Sequence, residues 1–178
     1  FICVELGTYC GYGSILLAGI FKDNPVLFNY FDFHLFTVEI NPEFAKVALE
    51  MIKLAEVDDI VKIVENHFYL DGSTGHVGEI LYDEIKTVLS LPRIDFLLID
   101  HDKDSYLSDL KRIETCNLLQ KGSTVVADNV IFAGINDYIN YMRENESARS
   151  VSTVTHVAHV EYSSFTDEYK DGVGTLIH

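Results

Sequence analysis

The chain has 178 residues, 48% of them hydrophobic, and a net charge of -15. That length and composition fit one globular domain with a sizeable core, and exclude a disordered chain. The acidity opposes binding to nucleic-acid phosphates or anionic lipid, which calls for a basic patch, and no apolar run is long enough to span a bilayer.

The elements, in chain order, alternate between strand and helix. The run 2-ICVEL-6 reads as a buried strand. A chain that opens in such a strand, without an initiator Met, reads as a protein lacking its N-terminal part, so that any signal or anchor preceding Phe1 would be lost with it. A glycine-rich turn from Gly7 to Gly13 follows, and 14-SILLAGIF-21 reads as a helix. The stretch 22-KDNPVLFNYFDF-33 has no clear period and is expected to be a loop insertion. After the strand 35-LFTVEI-40, the segment 41-NPEFAKVALEMIKLAEV-57 carries a helix start: Asn41 as cap, Pro42 at the first position, and Glu43 at the positive end. Its apolar positions Phe44, Val47, Ala48, Met51, Ile52 and Ala55 share one face and are expected in the core.

A third strand, 60-IVKIV-64, precedes a helix over 77-VGEILYDEIKTVLSL-91 that Pro92 is expected to end. Next come the strand 94-IDFLLID-100, a helix over 105-SYLSDLKRIETCNLL-119 with its stop at 120-QKG-122, the strand 123-STVVAD-128 and a helix over 135-INDYINYMREN-145. The last two β runs, 151-VSTVTHVAHVEY-162 and 172-GVGTLIH-178, have no helix between them. They predict an antiparallel pair closing an otherwise parallel sheet.

This alternation implies a doubly wound α/β fold in a single domain over 1–178. Ligands of such folds sit beyond the carboxyl ends of the strands. Here those ends hold Glu5 to Gly7, Glu39 to Asn41, Glu65 to His67, Asp100 to Asp104, and Asp128 with Asn129. The turn 5-ELGTYCGYG-13 lacks the GxGxxG spacing of a dinucleotide fingerprint. Glu39, at the end of the second strand, is placed to accept hydrogen bonds from the two hydroxyls of a ribose, which points to an adenosine-containing cofactor.

Asp100, Asp128 and Asn129, at the ends of two neighbouring strands, offer two carboxylates and an amide oxygen, a hard donor set suited to Mg2+. Taken alone, 128-DN-129 also fits an Asx turn. Lys103, three residues after Asp100, is placed to accept a proton from a metal-polarised hydroxyl, or else to pair with Asp102 or Asp104 on the surface. His67 and His101 fit either a cofactor contact or a structural role. Cys3, Cys10 and Cys116 form no CxxC pair, leave one cysteine over and point to a reduced, cytoplasmic compartment.

The stretches 4-VELGTYCGYGSILLA-18, 37-TVEINPEFAKVA-48, 98-LIDHDKDSYLSDL-110, 114-ETCNLLQKGSTVVADNV-130 and 171-DGV-173 resemble the catechol O-methyltransferase family, in the right order over nearly the whole chain. The resemblance implies a Rossmann-like, mostly parallel seven-stranded sheet ordered 3-2-1-4-5-7-6 with an antiparallel last strand. It implies Mg2+-assisted methyl transfer from S-adenosylmethionine to a hydroxyl of a catechol or related diol.

By motif, Asp100, Asp128 and Asn129 match the metal ligands and Lys103 the general base. Glu39 matches the ribose-binding acid, with Ile40, His67 and His101 beside the cofactor. Glu5, Gly7 and Tyr9 match the methionine-side pocket. Ser14 stands one place past the family's serine, where this chain has Gly13. The family's substrate-holding Glu in the sixth strand corresponds to Glu161, with Glu168 as rival. The chain departs from the family at Asp102, where a Trp is usual, and at 64-VENHF-68, where the family is small and polar. It also lacks the N-terminal helices that cover the cofactor in that family.

Overall fold

The computed structural model describes residues 1–65, 77–131, 133–149, 152–159 and 170–177. Seven strands form one sheet in the order β3-β2-β1-β4-β5-β7-β6: β1 (Ile2–Leu6), β2 (His34–Glu39), β3 (Val61–Glu65), β4 (Ile94–Ile99), β5 (Leu119–Ala127), β6 (Ser152–His159) and β7 (Lys170–Ile177). The first five pair in parallel; β7 runs antiparallel to both β5 and β6. This is the predicted order and the predicted direction of the last strand.

The sheet is buried on both faces because its strands alternate between two apolar layers. Val4, Leu6, Phe36 and Val38 point to one layer, completed by Leu81 and Ile85 of α4 (Val77–Lys86), Leu110 and Ile113 of α5 (Tyr106–Thr115), and Tyr138 and Met142 of α6 (Asn136–Arg149). Cys3 and Leu35 point to the other, completed by Ala18 and Phe21 of α1 (Tyr12–Lys22) and by Ala48 and Ile52 of α3 (Pro42–Leu54). The same period of two sends Glu5, Thr37 and Glu39 toward the α1/α3 side.

Four local expectations change. Residues 22–33 are not all loop: Pro25–Tyr30 forms the short helix α2, started by Asn24, whose Oδ1 accepts from the Val26 amide at 3.1 Å. Six residues are too few for a period to show. On α3, Ala45, Ala48 and Ile52 are buried, whereas Phe44, Val47 and Met51 are exposed. The apolar arc is wider than the contact, and Asn41 caps the helix as expected, accepting from Glu43 at 2.9 Å.

Helix α4 ends at Lys86, well before Pro92, where Thr87 turns back and donates its hydroxyl to the Glu84 carbonyl at 2.7 Å. Helix α5 ends at Thr115, followed by Asn117 in the left-handed region (φ 55°), a frequent way to close a helix. The expected stop at 120–122 instead lies inside β5. There the β4–β5 register shifts between Ile94 and Phe96, and Ser123 bridges the irregularity by donating to the Ile94 carbonyl at 2.6 Å.

Candidate active site

The parallel ladder extends one residue past the ends of β4 and β5, and this extension assembles the site. The Asp100 amide donates to the Leu6 carbonyl at 2.9 Å, and the Asp128 amide donates to the Ile99 carbonyl at 3.0 Å. Asp100 and Asp128 are therefore the first residues beyond β4 and β5, on strands whose last paired residues are Ile99 and Ala127. Asn129 follows with φ 58°, and its amide donates to the Asp128 carboxylate at 2.7 Å.

At the end of β1, Gly7 takes φ 103°. A Cβ there would overlap the Asp100 carbonyl, whose carbon lies only 2.7 Å from the position it would take. Glycine is what allows β1 and β4 to turn this close together.

A cavity of about 490 Å³ opens over these ends, within the range of small-molecule sites. Gly7, Tyr9, Glu39, Ile40, Asp100 and His101, all predicted cofactor or metal residues, line it. Glu39 is oriented by two backbone donors: the Tyr9 amide at 2.8 Å and the Asn41 amide at 2.9 Å. An ionised carboxylate has about four acceptor positions, so two remain for a ligand's hydroxyls. Tyr9 itself takes φ 47° and packs its ring edge-on against Phe44, 4.7 Å between centroids.

Glu5 and Ser14 lie behind this wall. Glu5 is 2% exposed, and its carboxylate accepts from Ser14 and, at 2.6 Å, from Thr37. Register places Thr37 directly beside Glu5, and Thr8 extends the chain to Thr37 at 2.6 Å. Burial raises the Glu5 carboxyl above its ordinary value, more than the two hydroxyls lower it; the nearby Asp100 raises it further. At Gly13 a Cβ would collide with the Glu5 carboxylate, so the serine one place on supplies the hydroxyl.

His101 is held between α5 and the cavity: its Nε2 lies 2.8 Å from Asp109 Oδ2, its buried Nδ1 has no hydrogen-bond partner among the described residues, and its ring stacks on Tyr106 at 5.2 Å. Asp102 also lines the cavity and accepts from the Ser105 hydroxyl at 2.8 Å, within a 3-10 turn over Lys103–Ser105. Lys103 donates to Asp100 Oδ1 at 2.8 Å and to the Tyr106 hydroxyl at 2.6 Å. It pairs with Asp100 rather than with Asp102 or Asp104, the surface alternative. His67, Glu161 and Glu168 lie outside the described residues.

Among the described residues no group of three or more His, Cys, Asp or Glu is arranged to hold a metal. The set Asp100, Asp128 and Asn129 is of another kind, two carboxylates and an amide, and its oxygens suit a hard cation. Thr37, Tyr106 and Asp109 are not among the site residues the sequence points to, and Phe44, expected in the core, instead lines the cavity. Asp109 was in reach, since it lies on the predicted helix that follows His101 and Lys103. Nothing in the sequence marks Thr37.

The arrangement defines a class: a doubly wound sheet with a small-molecule cavity over β1, β2 and β4 and an acidic donor set at its β4–β5 edge. The solved structure of the O-methyltransferase TomG from Streptomyces achromogenes, in complex with S-adenosylmethionine, has the same fold, with a TM-score of 0.70 at 20% identity over 99% of this chain and 72% of that one. A model of the O-methyltransferase family matches residues 2–153, and the chain belongs to that family.

Its curated relatives include catechol O-methyltransferase B of Danio rerio, 33% identical over 96% of this chain and 56% of its own length. A probable O-methyltransferase of Mycobacterium tuberculosis is 33% identical over 94% of this chain and 65% of its own length. The chain thus spans about half the length of the catechol O-methyltransferases of Danio rerio, Bos taurus and Mus musculus, and 81% of that of Sus scrofa.

Proposed function

We propose that the protein transfers a methyl group from S-adenosylmethionine to one hydroxyl of a catechol, assisted by Mg2+. The observation that carries this reading is that Asp100 and Asp128 are the first residues beyond two paired strand ends, with Asn129 next in the chain and the Lys103 amine 2.8 Å from Asp100. The similarity to catechol O-methyltransferases supports the choice of acceptor.

S-adenosylmethionine would supply an electrophilic methyl group, and Asp100, Asp128 and Asn129 would hold Mg2+, which would supply Lewis acidity toward the acceptor's hydroxyl. The chain's own residues do the rest. Glu39 grips the ribose hydroxyls with the acceptor positions that Tyr9 and Asn41 leave over. Its negative charge would repel a 2′-phosphate. Lys103, in its neutral form, takes the acceptor's proton at Nζ. Methyl transfer needs no covalent enzyme intermediate, so positioning and a preorganised field are what the site contributes. Asp102 stands where the family has an aromatic wall, and it favours a second reading in which the acceptor is another vicinal-diol phenolic.

The test is methyl transfer from labelled S-adenosylmethionine to catechol and to a panel of related diols, with Mg2+ and with chelator. Loss of activity on chelation and in Asp128→Ala, by two orders of magnitude or more (roughly the weight of a lost electrostatic contact in the transition state), supports the reading. Activity indifferent to both removes the metal from it. A protein that fails to bind S-adenosylmethionine by calorimetry is a non-catalytic relative.

A further inference from the structure

Resting on that reading of Lys103 as the base, we propose that Tyr106 is the residue that aims it. Tyr106 opens α5, is fully buried, and sits one helical turn after Lys103. Its hydroxyl accepts from Lys103 Nζ at 2.6 Å and donates to the Asp128 main-chain carbonyl at 3.0 Å. That carbonyl belongs to the end of β5, so the phenol ties the base to the second of the two strands that carry the donor set. The donation to Asp128 also settles the hydroxyl's polarity. Its hydrogen is committed to the carbonyl, and a lone pair faces the lysine.

The consequence is geometric. A lysine amine has three positions besides its carbon, each filled by a hydrogen or, in the neutral form, one by the lone pair. Asp100 occupies one at 2.8 Å and Tyr106 a second. Among the described residues the third has no partner, and it is where a transferred proton is received. With a single anchor the amine would rotate about its last carbon bond and spread that position over a cone; with two it points one way.

The ring is fixed as firmly as the hydroxyl. It stacks on His101 at 12°, meets Tyr138 edge-on at 5.8 Å, and lies 4.8 Å from Lys103 Nζ. Tyr106 is not itself among the residues that line the cavity; it reaches the site through its hydrogen bond with Lys103, so it is a positioning residue.

Tyr106→Phe deletes the hydroxyl and keeps the ring. The expected result is a fall in kcat of about 10-fold to 100-fold, the range for a base held slightly out of place, with the KM for S-adenosylmethionine unchanged. In a Lys103→Ala background the same substitution is expected to have no further effect, because there is no amine left to aim. An equal loss in both backgrounds, or an unaltered kcat, overturns the proposal.

A second measurement needs neither activity nor the variant. In the wild-type protein, nuclear magnetic relaxation of the lysine Cε groups is expected to show Lys103 ordered relative to the exposed Lys46 of α3. Lys103 as mobile as Lys46 overturns the anchoring. If the wild type transfers no methyl group to any acceptor, the proposed function fails, and the relaxation measurement still decides the anchoring.

Discussion

At the scale of single residues, the site combines two buried or half-buried carboxylates held for different ends. Glu39 keeps acceptor positions open to the cavity, whereas Glu5 is consumed by internal hydroxyls. The difference has a consequence for stability. The Glu5 carboxyl is raised above its ordinary value of 4.5 in the folded chain, chiefly by burial. Below that value the carboxyl is protonated whether the chain is folded or not, and it contributes no pH dependence. As the pH rises through it, the unfolded chain loses the proton first. Stability therefore falls until the folded carboxyl has ionised as well.

Glu5→Gln is accordingly expected to unfold at a higher temperature than wild type at pH 7, by about 2–4 °C for each kcal/mol recovered in a chain of this size, and to lose that advantage near pH 4.5. Thermal melts of both proteins at the two pH values check it. A variant destabilised equally at both would mean that the hydrogen bonds from Ser14 and Thr37, not the charge, dominate.

The residues also divide by how they announce themselves in sequence. Glu39 and Asp100 are legible because a carboxylate at the end of an apolar strand contradicts its surroundings. Tyr106 is not, since an aromatic residue on a helical face reads as core; its second role depends on how near the end of β5 comes, which no local pattern encodes.

At the scale of elements, the strands were legible and the helix ends less so. The doubly wound class follows from alternation of type and the strand order was implied by the family resemblance, whereas a helix end depends on one side-chain contact, such as Thr87 turning back onto Glu84, or on one backbone angle, such as Asn117 taking φ 55°. The apolar arc of α3 misled for a related reason: a period of 3.6 identifies a stripe without saying how much of it the sheet covers.

The junction of β1 with β4 gives a test at this scale. Gly7 has positive φ and no space for a Cβ beside the Asp100 backbone. Gly7→Ala is expected to destabilise the protein by about 2–4 kcal/mol, combining overpacking against main chain with the cost of left-handed backbone, and to weaken cofactor binding by moving Asp100. Denaturant unfolding measures the first and calorimetry the second. A variant as stable as wild type would show that the two strand ends are free to part.

For the whole molecule, charge links the fold to its ligands. The net charge of -15 surrounds a cavity that itself bears Glu39, Asp100, Asp102 and Asp109. On the proposed function, S-adenosylmethionine carries a sulfonium that its demethylated product lacks, so the long-range field would favour the substrate form over the product form. Ionic strength tunes that preference. The screening length falls from about 30 Å at 0.01 M to about 8 Å at 0.15 M.

Raising salt across this interval is therefore expected to weaken binding of S-adenosylmethionine several-fold while leaving S-adenosylhomocysteine almost unchanged. Asp102→Asn, which removes one charge at the cavity wall, is expected to reduce the salt dependence of the first without altering the second. Calorimetric titration of both ligands at the two salt concentrations, with wild type and variant, measures all of these. Equal salt dependence for the two ligands would show that the acidity of the chain serves solubility alone, and that discrimination between substrate and product rests on short-range contacts inside the cavity.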